Sequence, residues 1–257
     1  MQHQVVSFQS DGIELRGQVY LPYSQYSRPV PALCLCHGIP SGGPPDLGDP
    51  GYPALAQRFS ENGFLTAIFN FRGTGDSGGN FDIAGWTRDL VAALDYLCHR
   101  SDVDMGRISV MGFSAGAAVS VYVASHDFRV NSVVVCSCPT HFHFADDSQD
   151  AHSAIVQFRN AGIIKDSGFP PSIADWIAGF NEVKPVKLIK KISPRPLLII
   201  QGTQDDVVYP SSAQELYERA GDPKQITMIE GAGHRLRLEE RAIDCALNWL
   251  TARNFID

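Results

Sequence analysis

The 257 residues are 44% hydrophobic and 19% charged, a globular composition long enough to bury a core without a disulfide or metal staple. A formal net charge of −7 argues against nucleic acid or an anionic membrane surface as partner, since both are held by clustered Lys and Arg. No apolar run reaches the ~18 residues of a bilayer span, and MQHQVVSFQSDGIELRG lacks the basic and apolar blocks of a signal peptide, so a soluble cytoplasmic protein is expected.

Val5–Phe8 and Ile13–Tyr20 read as two antiparallel strands joined at Ser10-Asp11-Gly12, a turn signal. Ala32–Cys36 is a short apolar strand that runs into His37-Gly38. Tyr52–Asn62 has helical spacing, with Leu55, Ala56 and Phe59 on one face, and Gly63 stops it. Leu65–Phe71 is the next strand. Ala84–His99 is helical, with Trp86, Leu90, Ala93, Leu94 and Leu97 in one stripe. Ile108–Phe113 is a strand, and Ala115–Ser125 a helix apolar nearly all round, which belongs at the centre of the molecule. Val130–Cys136 and Pro196–Gln201 are further strands. Ser212–Ala220, Gln225–Glu230 and Leu238–Arg253 complete the chain as helix, strand and helix. Continuous apolar strands separated by helices imply a doubly wound α/β fold, its parallel sheet covered on both faces. No linker divides the chain, so residues 1–257 are expected to form a single domain.

Residues 140–194 break this rhythm and read as a cap inserted over the site, or else as surface helices with no lid role. Phe142, Phe144, Phe158, Phe169 and Trp176 in this stretch would line an apolar acyl pocket or form the cap's own core. The C-x-C pairs Cys34/Cys36 and Cys136/Cys138 lie in strand-like runs, both members of each pair on one face. They read as packed small hydrophobes, not as zinc ligands or disulfides.

Gly112-Phe113-Ser114-Ala115-Gly116 matches G-x-S-x-G between a strand and a helix, the context of a nucleophile elbow. The turn is so tight that side chains at 112 and 116 would meet backbone. Ser114 is thus the candidate nucleophile, the plainer reading being a helix N-cap. A serine hydroxyl needs a base. Of the eight histidines, His37 falls in a strand-end loop, and His3, His99 and His126 flank elements. His141, His143 and His152 lie in the cap without a carboxylate-rich ligand pattern, and no metal site is expected. His234, in Gly231-Ala232-Gly233-His234 after a strand, sits where open α/β sheets place their sites. The carboxylate that orients it is one of two neighbours, Asp205 or Asp206, after the strand PLLIIQ, with Asp205 favoured. The order Ser, Asp, His is that of α/β-hydrolases and not of trypsin-like or subtilisin-like proteases. The oxyanion donors are expected to be the backbone N–H groups of Ala115 and of Ile39, since Pro40 has none.

At these residues the chain resembles α/β-hydrolase serine esterases, nearest the cinnamoyl/feruloyl esterases and the prolyl-oligopeptidase-like, dienelactone hydrolase-related branch. The resemblance rests on His37-Gly38-Ile39-Pro40, Phe69 to Ser77, the Ser114 elbow, and Gly202 to Pro210 with Gly233-His234. It implies an eight-stranded, mostly parallel sheet, no cofactor, and a cap between the sixth strand and the acid-bearing strand that shapes the acyl pocket. It also implies that Arg72–Ser77 is a structural loop supporting the site's floor. The Gly/Pro-rich loop from Pro40 to Pro53 is long and offers a further pocket wall.

The expected activity is hydrolysis of a small-molecule carboxylic ester of small to medium acyl size. Thioester or amide cleavage, acyl transfer and a non-catalytic binding protein on the same scaffold are the alternatives. The protein partner expected, if any, is a second copy of the chain in a homodimer.

Overall fold

The computed structural model describes residues 3–23, 26, 29–43 and 48–255. Among them, eight strands form one sheet in the order β1-β2-β4-β3-β5-β6-β7-β8. β1 (His3–Ser10) and β2 (Ile13–Tyr20) are a hairpin, and β2 pairs antiparallel with β4 (Leu65–Phe69). The turn holds Asp11 and Gly12, both at positive φ, which matches the right-handed twist of the strands it joins. Every later pairing is parallel: β4 with β3 (Val30–Cys36), then β5 (Val103–Phe113), β6 (Ser132–Cys136), β7 (Leu197–Gly202) and β8 (Lys224–Ile229).

The strands alternate their side chains between two cores. Leu33, Leu35, Met111, Phe113, Leu198 and Ile200 face α1 (Gly51–Glu61) and α8 (Glu240–Asn254). Cys34, Cys36, Val110, Val133, Val135 and Ile199 face α2 (Ile83–Cys98), α3 (Ala115–His126) and α7 (Pro210–Arg219). α3 is buried along almost its whole length, as its all-apolar surface requires.

The Cys34/Cys36 pair shares a face, but Cys136 and Cys138 belong to opposite cores. β6 ends at Cys136, and Ser137 takes a positive φ that breaks the alternation. All six cysteines are free thiols.

Between β6 and β7 run α4 (Ser148–Asn160), α5 (Ile173–Glu182) and α6 (Pro185–Leu188), with short 3-10 turns at His143–Ala145 and Ile189–Ile192. This insert packs on the α2 side. Phe81 N–H donates to the Ile163 carbonyl, Trp176 Nε1 donates to the Phe81 carbonyl, and Asn80 bonds Lys165 and Asp166. Phe142, Phe144, Phe158, Trp176 and Phe180 pack on one another and on Phe81, with ring centroids 4.6–6.3 Å apart. They are the insert's own core. No described helix is long and apolar enough to cross a membrane.

The loop after β4 is fixed by a buried ion pair. Arg72 Nη2 and Nε reach Asp89 Oδ1 at 2.7 and 3.0 Å, and the Arg72 N–H donates to Asp89 Oδ2 at 2.8 Å. Ser10 and Asp11 accept the remaining Nη2 bonds, so the guanidinium ties the hairpin to α2. The Asp89 side chain is fully buried and that of Arg72 is 6% exposed. Among the described residues, removing Asp89 leaves the buried guanidinium with only the solvent-exposed carboxylate of Asp11 as counter-charge. Asp89→Ala is therefore expected to cost about 3–5 kcal/mol in urea unfolding, and a loss below ~1 kcal/mol would show that the pair does not hold this loop.

Candidate active site

β5 ends at Phe113, and the chain turns into α3 through Ser114, whose backbone sits at φ 53° and ψ −123°. That is a strained conformation for a non-glycine residue, and it points the hydroxyl out of the sheet's carboxyl end. The two glycines make the turn feasible. A Cβ at Gly112 would lie 2.5 Å from the Gly116 carbonyl, and one at Gly116 would lie 2.3 Å from the His37 carbonyl. α3 therefore starts directly against the end of β3, its N-terminal dipole aimed at Ser114.

His234 lies on the loop after β8 and Asp205 on the loop after β7. His234 Nδ1 donates to both Asp205 oxygens at 3.0 Å, and Nε2 accepts from Ser114 Oγ at 3.1 Å. The carboxylate fixes the proton on Nδ1 and leaves the Nε2 lone pair for the serine. Asp206, the other sequence candidate, is exposed, and the carboxylate bonded to His234 Nδ1 is that of Asp205. The Asp205 side chain is fully buried, and that of His234 is 21% exposed. Burial alone would raise the Asp205 carboxyl. Hydrogen bonds from His234 and from the Val208 N–H outweigh it and hold the group at about 2. Val207 N–H and Gln201 Nε2 also donate to it.

Ile39 and Ala115 both border Ser114. Among the described residues, neither N–H is taken by a protein acceptor, so both remain available to a ligand. Ile39 lines the cavity in front of Ser114, which measures about 440 Å³. Its other walls include Pro40, Tyr52, Thr74, Phe113, Leu236 and Arg237. The Pro40–Pro53 loop thus supplies Pro40, Ser41 and Tyr52, while residues 44–47 lie outside the described residues. None of the apolar insert residues singled out from the sequence lines the cavity. The acyl-pocket reading of Phe142, Phe144, Phe158, Phe169 and Trp176 fails because they bury one another or pack on the core behind. A larger cavity of about 660 Å³ adjoins the first and shares His37, Tyr52 and Asn70 with it.

Two further features had no clear signal in the sequence. His37 is packed edge-on among Tyr52, Phe71 and Trp86. Its Nε2 accepts the Phe71 N–H at 3.2 Å, so its proton is on Nδ1, which donates to the Gly38 carbonyl at 2.7 Å. His37 thereby links the Ile39 loop to the loop after β4. Asp49 accepts from both Arg235 and Arg237, and the Arg237 guanidinium lies 4.9 Å from the Tyr52 ring centroid. This clasp pins the Tyr52 wall to the His234 loop. The Arg237 hydrogen bond holds the Asp49 carboxyl at about 2, against the opposing effect of burial.

Residues 51–252 match the prolyl oligopeptidase family. The chain belongs to that family. Among its relatives is the polyketide transferase ATR5 of Stachybotrys chlorohalonatus, 25% identical over 268 residues that cover 87% of this chain and 86% of that protein. The fold matches the α/β hydrolase GrgF from Penicillium sp. sh18 with a TM-score of 0.76 at 18% identity, over the whole of both chains. It also matches ferulic acid-bound Est1E from Butyrivibrio proteoclasticus with a TM-score of 0.72 at 17% identity, over 97% of this chain and 98% of that one. This member of the prolyl oligopeptidase family has the α/β-hydrolase fold.

Burial pushes the His37 imidazole down to about 4, against the opposing Gly38 hydrogen bond. Its folded value is below the unfolded one, so the folded state resists protonation. The associated stability is complete above about 6.5 and declines as pH falls towards about 4. From pH 7 to pH 5 this group is expected to remove about 2 kcal/mol of stability. His37→Gln should shrink that pH dependence, read as the urea unfolding free energy at the two pH values. Parallel losses in both proteins would assign the pH dependence elsewhere.

Proposed function

We propose that the protein is a serine hydrolase that cleaves carboxylic esters of small to medium acyl groups through an acyl-serine intermediate. The observation that carries this reading is the continuous hydrogen-bonded chain from Asp205 through His234 to Ser114, ending in a strained, cavity-facing hydroxyl.

Ser114 Oγ attacks the carbonyl carbon while its proton passes to His234 Nε2. Asp205 stabilises the imidazolium that forms and keeps the ring oriented. The carbonyl oxygen becomes an oxyanion held by the N–H groups of Ile39 and Ala115. Collapse expels the alcohol, which takes the proton from His234. Water then attacks the acyl carbon with His234 again as base, releasing the acid and restoring Ser114. The cavity of about 440 Å³ suits a modest acyl group, and the adjoining space beyond Tyr52 gives room for a second substituent. The substrate is a small molecule. Buried free thiols fit a reducing compartment, so the proposal includes a cytoplasmic location.

Two findings favour related chemistry at the same serine. Membership of the prolyl oligopeptidase family favours an amide leaving group, and likeness to a polyketide transferase favours a nucleophile other than water in the second step. Both keep the acyl-serine and change only what leaves or what arrives.

The test is turnover of a p-nitrophenyl ester series from acetate to decanoate. Ser114→Ala should lose activity while remaining folded. Asp205→Asn should lower kcat about 10⁴-fold, whereas Asp206→Asn should stay near wild type. Equal activity in Ser114→Ala, or no turnover together with no labelling by a fluorophosphonate, would remove the hydrolase reading.

A further inference from the structure

The segment that follows β6 reads Thr140-His141-Phe142-His143-Phe144-Ala145-Asp146. Phe142 is extended, at φ −110° and ψ 103°, and neighbouring side chains point opposite ways in such backbone. Phe142 and Phe144 point inward, their rings 5.2 and 5.0 Å from Phe180. The anchored phenylalanines leave His141 and His143 together on the outer side, with ring centroids 4.1 Å apart. The 3-10 turn then folds the chain back, Asp146 N–H donating to the His143 carbonyl at 3.0 Å. The carboxylate arrives beside both imidazoles.

Three donor atoms converge there. His141 Nε2 and His143 Nδ1 are 3.1 Å apart, and each is 3.6 Å from Asp146 Oδ2. Bonds of about 2.0–2.1 Å in a tetrahedral site separate ligand atoms by roughly 3.3 Å, so this triangle already has the dimensions of one face. The outer partners fit as well. Buried Thr140 places Oγ1 3.0 Å from His141 Nδ1; by accepting that N–H it fixes the tautomer whose Nε2 lone pair enters the triangle. Lys184 Nζ lies 4.0 Å from Oδ1, the other carboxylate oxygen, and leaves Oδ2 to the triangle.

We propose that His141, His143 and Asp146 bind one divalent transition-metal cation of the zinc class. Two imidazoles and one carboxylate suit zinc, nickel or copper better than magnesium or calcium, which take oxygen ligands. With three protein ligands, a fourth position is left for water. None of the three residues lines the cavity at Ser114. The ion would be a staple that locks the turn after β6 onto the aromatic core of the insert, independent of hydrolysis.

The test starts from chelator-stripped protein titrated with zinc chloride by calorimetry, with cobalt chloride as the spectroscopic probe. One equivalent should bind, raise the melting temperature, and give a cobalt spectrum without thiolate charge-transfer absorption. His141→Ala/His143→Ala should abolish that binding and the melting shift, and Asp146→Asn should weaken it, with p-nitrophenyl ester turnover unchanged in each. Absence of saturable binding would overturn the proposal. So would binding that survives in the double variant, or a thiolate band showing that the cysteines hold the metal.

Discussion

The approach of α3 to the end of β3 is the contact on which the site depends. Gly116 stands where any side chain would collide with the His37 and Cys36 carbonyls, so the helix start and the strand end share one small space. That contact sets Ser114 in its strained turn and places the positive end of the helix dipole behind it. It also brings the Ile39 loop alongside the serine, since a Cβ at Gly38 would lie 2.9 Å from Ser114 Cβ. The strain at one residue is sustained by a central helix buried on all sides and a sheet covered on both faces.

Around this fixed point the other two groups are held unequally. Asp205 accepts hydrogen bonds from His234, Gln201, Val207 and Val208, which immobilise it and keep it ionised. His234 rests on a loop with its ring about one-fifth exposed, secured by the carboxylate and by its own backbone carbonyl, which accepts from Ser137 Oγ. A rigid anion and a less enclosed imidazole suit a reaction in which the proton moves while the carboxylate stays charged. The Asp49 clasp and His37 extend this order to the cavity's rim, one from the His234 loop and one from the β3 loop.

The insert between β6 and β7 has its own aromatic core and packs towards α2. It meets the cavity-forming loop at Gly42, where a Cβ would lie 2.6 Å from Ala161. The cavity itself is walled by the loops after β3, β4 and β8, with Tyr52 from the start of α1. Pocket shape is thus set by loops clasped through ion pairs and hydrogen bonds, and the insert acts on it through backing contacts.

Strand and helix positions were legible in the sequence because burial on both faces writes itself as apolar runs, and amphipathic helices as stripes such as Trp86, Leu90 and Leu97. Ser114, Asp205 and His234 were legible because each stands at the carboxyl end of a strand in a chain order that local spacing reveals. The choice between Asp205 and Asp206 needed the loop's conformation, since adjacent side chains diverge and only one is turned inward. The fate of Phe142, Phe144, Phe158 and Trp176 was equally hidden, because an apolar side chain looks the same in sequence whether it lines a cavity or fills a core. Cys136 and Cys138 part because the positive φ at Ser137 breaks a strand without any glycine to announce it. Asp49 with Arg235 and Arg237, His37 with Phe71, and Arg72 with Asp89 are pairings between residues remote in the chain or between side chain and backbone. The sequence by itself determined which elements form and which residues offer the chemistry. Tertiary structure alone decided which charges meet and which walls face Ser114, because those contacts exist only once the strands are in order.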